Sequence, residues 1–165
     1  MHMVKSSLVF AYILLCFASC VHAEQTYIGK VVSVSDGDTI SVSRYPEPLL
    51  KVRLAGIDAP EKQQAFGQRA KESLSKLVAW QKVRVVEVGT DRYGRVIGDV
   101  YVQGLWVNLE MVSQGVAWVY RHYSHDPRLL EAEERAKSSR SGLWVEPMPV
   151  PPWEWRKSQR KPKKH

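Results

Sequence analysis

Cysteine is nearly absent from this 165-residue chain: there are two, Cys16 and Cys20, and both fall within the first 23 residues. A product cleaved after Ala23 has no thiol at all. That excludes disulfides and leaves packing alone to hold the fold, even in an oxidising compartment. Long apolar runs are missing too: Leu8 to Phe17 is almost wholly apolar but too short to span a bilayer. There is no internal repeat and no heptad run, so neither a solenoid nor a coiled coil is indicated. Acidic charge is the minority, with 17 Asp and Glu against 24 Lys and Arg, a formal net charge of +7.

The first 23 residues have the layout of a secretory signal peptide. Lys5 gives a positive start, the apolar run follows, and Val21-His22-Ala23 offers small-residue cleavage positions. The expectation is export, to a periplasm or the medium. A buried N-terminal helix is the plainer alternative, and Phe17-Ala18-Ser19-Cys20 loosely resembles a lipoprotein acylation site that would tether the chain through Cys20. Residues 24–146 suffice for one compact core and are too few for two ordinary domains. From Pro147 to His165 the composition turns to Pro, Trp and then Lys-Arg. This tail has little to bury and reads as a surface-running or disordered extension, with binding of envelope polyanions or a membrane surface as its functional alternative. Lys5 is the only Lys, Arg, Asp or Glu before residue 24, so the positive excess lies in the exported part. It favours an anionic partner, although many basic exported proteins bind no nucleic acid.

Apolar periodicity supplies the elements. Tyr27–Val34 reads as a strand with Ile28, Val32 and Val34 on one parity, Asp36-Gly37 as a turn, and Thr39–Ser43 as a strand carried by Ile40 and Val42. After a loop at Tyr45–Pro48, Leu50–Ile57 places Val52 and Leu54 on one face and Lys51 and Arg53 on the other. Phe66, Ala70, Leu74, Leu77 and Val78 recur at helical spacing within Ala65–Ala79. Strands follow at Val83–Val88 and Val96–Val102. Asn108 is expected to cap a short helix that Gly115 ends. Asp126 and Pro127 open a last helix, and Leu143-Trp144 reads as a core anchor beyond Gly142. Early strands with one helix among them and two behind suggest an α+β fold, a small antiparallel barrel with helices packed on one side.

Three short motifs carry the chemistry. Each has an ordinary explanation alone: a hairpin turn for Asp36-Gly37-Asp38-Thr39, a polar strand end for Asp58-Ala59-Pro60-Glu61, a charged hairpin for Asp91-Arg92-Tyr93-Gly94-Arg95. Arg53 alone would be a solvated face residue. The functional reading is convergence of carboxylates able to bind a hard cation, a proton acceptor, and guanidiniums whose planar fork suits phosphate. In order and spacing these motifs resemble the thermonuclease (staphylococcal nuclease) family. The match also runs through Val52-Arg53-Leu54, Val107-Asn108, Gln114-Gly115 and Ser141-Gly142-Leu143-Trp144, and covers roughly residues 26–145.

The resemblance implies a five-stranded OB-type β-barrel with about three packed helices. It implies a calcium ion held by Asp38, Asp58 and the main-chain carbonyl of Ala59, with Asp36 supporting the metal loop. Arg53, Glu61 and Arg95 match the family's catalytic trio, and Arg92 and Tyr93 would be phosphate donors. DNA and RNA would be the substrates of a monomer with no organic cofactor, cut at the 5′ oxygen to leave 3′-phosphates. Ala59 stands where the best-known member has threonine, which removes a hydroxyl but keeps the ligating backbone oxygen. The aromatics after the Gln-Gly turn, Trp118, Tyr120 and Tyr123, depart from the family's spacing, so the base-stacking residue is not assigned. The rival class is an OB-type module that binds nucleic acid without cutting it.

Overall fold

A computed structural model describes residues 24–160; the signal-peptide and Cys20 readings, and the last lysines of the tail, lie outside them. In chain order the elements are β1 (Thr26–Val34), β2 (Thr39–Arg44), β3 (Glu47–Leu54), β4 (Ile57–Asp58), α1 (Gly67–Val78), β5 (Lys82–Thr90), β6 (Val96–Val102), β7 (Leu105–Trp106), α2 (Val107–Ser113), β8 (Trp118–Val119), α3 (Pro127–Ser138) and α4 (Pro152–Ser158), with a 3-10 turn at Gly142–Val145 before α4. Strand order is β3-β2-β1-β5-β6, and β6 pairs with β3 to close a five-stranded barrel. All pairings but one are antiparallel. The closing seam is parallel, with Val52 opposite Val96, Arg53 opposite Ile97 and Leu54 opposite Gly98. This is the OB-type α+β architecture, with four α-helices among the described residues rather than three.

The barrel interior is filled by β-branched and aliphatic side chains: Val31, Ile40, Val42, Val52, Leu54, Val83, Val85 and Val100 are all essentially without exposed surface. Ala70, Leu74 and Val78 of α1, Met111 and Val112 of α2, and Leu129 and Ala132 of α3 complete one continuous core. The anticipated faces of β2 and β3 are the buried ones.

The parity of β1 differs from the sequence reading. Val31 is buried and Ile28 lies exposed, because the register with β2 shifts between Val31 and Ser33. A β-bulge inserts one residue there, so inward positions before it and after it fall on opposite parities. Asn108 is likewise not a cap. It lies inside α2, whose N-cap is Trp106, and has no exposed surface. Its Oδ1 accepts from the Val100 N–H at 3.0 Å, and its Nδ2 donates to the Ala55 carbonyl at 2.9 Å, with longer contacts to Gly98 and Asp99. It stitches β6 to the chain leaving β3. α3 opens as expected, Asp126 accepting from the Arg128 N–H with Pro127 in the first turn, and Leu143 and Trp144 are buried.

Candidate active site

The two aspartates meet because of how the chain enters and leaves β2 and β3. Asp38 sits at the start of β2 and its own N–H donates to Asp36 Oδ1 at 3.1 Å, a local turn that fixes the loop. Gly37 lets this loop close on its neighbours: a Cβ there would lie 2.6 Å from Ala70 Cβ and 2.7 Å from Ala59 Cβ. Asp58 ends β4, which pairs with β8. Gly67, at the start of α1, packs so tightly under the loop after β4 that a Cβ would collide with the Glu61 carbonyl oxygen. Both carboxyl groups are buried, Asp38 at 4% exposure and Asp58 at 0%.

One guanidinium joins them. Arg53 on β3 donates to Asp38 Oδ1 at 2.8 Å and to Asp58 Oδ1 at 2.7 Å. Asp38 also accepts from the Ala59 N–H at 3.0 Å and from the Thr39 hydroxyl at 3.0 Å. Burial pushes the Asp38 carboxyl above its ordinary value while the Arg53 charge pulls it down. For Arg53, burial opposes the charge, but the two aspartates outweigh it and hold the group fully protonated.

Above this pair opens a cleft of about 990 Å³. Asp36, Asp38, Arg53, Ala59, Glu61, Arg92, Tyr93 and Arg95 all line it, and Asp58 lies just beneath. The residues singled out in the sequence are thus brought to one place. Arg95 enters from the β5–β6 hairpin, braced by Asp91, which accepts from its backbone N–H at 3.0 Å and its Nε at 2.7 Å. A long contact of 3.4 Å from Arg95 Nη1 reaches the Thr39 hydroxyl, beside Asp38. Tyr93 is exposed, with the Arg92 guanidinium 4.9 Å from its ring centre. Of the three aromatics after the Gln-Gly turn, Tyr120 and Tyr123 line the cleft, while Trp118 sits against Trp144 at 4.3 Å.

The described residues after Pro147 run over the surface, one of the two readings of the tail, and are partly helical. Residues 152–158 form α4, which lies on the cleft. Trp153 stacks on Tyr120 at 5.4 Å with the rings 3° from parallel, and meets Trp118 edge-on at 5.7 Å. Gln64 Nε2 holds the Val150 carbonyl at 2.6 Å, and Gln64 Oε1 accepts from the Glu61 N–H. Arg156 Nη2 donates to Asp58 Oδ2 at 2.7 Å, and its Nη1 donates to Glu61 Oε1 at 2.7 Å and to Asp58 Oδ1 at 3.2 Å. Arg160 also lines the cleft. The sequence places Trp153, Arg156 and Arg160 only in the tail read as a solvated extension or a binder of polyanions or a membrane surface, and gives Gln64 no role. The available signal was local: a proline at the start of a helical turn, Glu154 in that turn, Arg156 and Lys157 at its end, and tryptophans in an otherwise polar stretch.

Comparison with known proteins supports the same grouping. A Haemophilus influenzae protein named an uncharacterized endonuclease is 44% identical over 161 residues, covering 96% of this chain and 89% of its own. An Escherichia coli protein named ParB is 46% identical over 140 residues, 78% of each chain. A Shigella flexneri micrococcal nuclease is 43% identical over 143 residues, 80% of this chain and 82% of its own. The family model described as staphylococcal nuclease homologue matches residues 51–146, the stretch that carries Arg53, Asp58, Glu61 and Arg95. With a closed OB-type barrel, a guanidinium-bridged aspartate pair under the cleft, and relatives of this identity along most of its length, the chain belongs to the staphylococcal nuclease homologue family.

Proposed function

We propose that the protein is an exported, calcium-dependent phosphodiesterase that cuts DNA and RNA with little regard for sequence and acts as a monomer. One observation carries the reading: Arg53 bridges two buried carboxylates while Glu61 and Arg95 line the cleft above them. The donor chemistry fits a hard cation. Asp38 and Asp58 lie within the span of one guanidinium, and the Ala59 main-chain carbonyl would be a third oxygen ligand. Among the described residues no group of three or more His, Cys, Asp or Glu could hold a metal. Such a site must complete its shell with carbonyl and water oxygens, which calcium accepts and a structural zinc does not. Calcium there would act as a Lewis acid on a phosphate oxygen.

The chain's own groups do the rest. A phosphodiester resists attack because its charge repels the nucleophile and because negative charge grows on its equatorial oxygens. Arg53 and Arg95 are fixed donors for that growing charge, one anchored by aspartates below and the other by Asp91. Glu61 orients a water and accepts its proton as the oxygen–phosphorus bond forms; the bond to the 5′ oxygen breaks, and that oxygen leaves as the alcohol by taking a proton from solvent. Asp36 holds the Asp38 backbone in place. Arg92 and Tyr93 hold a neighbouring phosphate, and of the three aromatics after the Gln-Gly turn Tyr123 is the exposed one, open to a base. Phosphate contact and stacking tolerate any base, hence the low sequence preference. Export rests on the signal-peptide layout of residues 1–23.

Plasmid nicking by the purified chain, first with calcium and then with a chelator, tests this directly. Cleavage only with calcium is expected. Retention of DNA with no cleavage in either condition would instead support the binding-module reading.

A further inference from the structure

Asp58 is reached from the cleft only past an arginine. The carboxylate has no exposed surface, whereas the Arg156 side chain above it keeps 34% exposure. Arg53 takes Oδ1, Arg156 takes Oδ2 and shares Oδ1, and both arginines line the cleft. The same guanidinium engages Glu61 Oε1. A carboxylate offers about four lone-pair sites, and a cation coming from the cleft needs the ones that Arg156 occupies. Arg53 and Arg156 already set two positive charges against this buried carboxylate, and a divalent ion added to both would be repelled strongly where the effective dielectric is low. Arg156 and a divalent ion therefore exclude each other at Asp58.

The arginine is held there by a device that can release it. α4 has seven residues, too few to persist as an isolated helix. Its position depends on the Trp153–Tyr120 stack, the edge contact with Trp118, the Gln64 tether to Val150 and the Arg156 pairs themselves. We propose that Arg156 and the divalent cation are alternative partners of Asp58, so that Arg156 determines how tightly the site takes its ion and leaves Asp58 when the ion binds. This rests on the calcium reading above. The opposite role, an arginine that orients Asp58 for the ion, predicts the opposite sign.

Calcium binding measured by calorimetry on the full chain separates the two without relying on turnover. Arg156→Ala should bind calcium roughly ten- to hundredfold more tightly than wild type, the worth of the charge-assisted hydrogen bonds it no longer has to break. Trp153→Ala, which loosens α4 without touching a carboxylate, should shift affinity the same way by a smaller factor. Arg156→Lys, retaining the charge, should stay nearer wild type. Should Arg156→Ala not fold, Arg156→Gln and Trp153→Ala carry the same expectation. Wild-type binding that these variants leave unchanged or weaken overturns the competition while leaving the calcium site standing. Absence of binding heat in wild type and every variant overturns both.

Discussion

Replacing Arg53 by alanine removes the one group that touches both buried aspartates, and its consequences can be worked out in two currencies. For stability, breaking a buried ion pair by deleting one partner costs about 3–5 kcal/mol, because the other charge is left uncompensated. Here the lower end applies. Asp38 keeps the Ala59 N–H and the Thr39 hydroxyl, Asp58 keeps Arg156, and Arg53 itself is 19% exposed, so about 3 kcal/mol is expected in calcium-free buffer. For turnover, loss of one fixed donor to the developing phosphate charge costs roughly 10²–10³-fold. The two effects part company when calcium is added. On the proposed calcium reading, an ion at the aspartates would replace the missing positive charge and return part of the stability, but not the hydrogen bonds to the reacting phosphate. Urea unfolding with and without calcium, beside plasmid-nicking rates at saturating calcium, reads both. An unchanged urea midpoint in calcium-free buffer, or turnover within about fivefold of wild type, would refute the bridging argument.

Glu61→Gln keeps the size and one acceptor oxygen but loses the proton acceptor, so turnover at saturating calcium should fall by about two to four orders of magnitude; near-normal rates would remove that role. Asn108→Ala orphans the buried Val100 N–H and the Ala55 carbonyl, at about 1–3 kcal/mol each, and should lower urea stability by about 2–5 kcal/mol with an unchanged m-value. Asp99 is pushed up by burial, so the folded state holds its proton more tightly than the unfolded chain does. Its ionisation therefore weakens the fold as pH rises from the unfolded carboxylate value through the higher folded one. Asp99→Asn retains an acceptor for Trp106 Nε1 and should be more stable than wild type at pH 7, a gap that closes in acid; a gap that widens on acidification contradicts the assignment.

The legible parts of the fold were those written in local period and local caps. Ile40, Val42, Val52 and Leu54 alternate because one face of their strands is buried, and β6 is bounded by turns on both sides, so Val96–Val102 is read without error. Asp126 and Pro127 announce α3 through backbone groups two residues away. What escaped was set by distant partners. The β1 bulge is decided by pairing with β2, and nothing in Val31-Val32-Ser33 itself names the extra residue. Asn108 has the composition of a cap, yet its amide bonds to Ala55, 53 residues back along the chain. Arg156 meets Asp58 across 98 residues, within a stretch whose proline, tryptophan and lysine content resembles a solvated tail. The site motifs were legible for a different reason: their order matched a family, while each alone looked like a turn.

The parallel closure of the barrel has a bearing on how such a protein can vary. Arg53 faces Ile97 across that seam, and Arg95 immediately precedes β6, so the spacing of the two guanidiniums follows from strand register together with the short β5–β6 hairpin that Asp91 braces. A one-residue slip would turn Arg53 into the apolar interior, which makes intermediate geometries inaccessible. Rim segments other than that hairpin can therefore lengthen, shorten or acquire an added helix across generations without retuning the distance between the two cations.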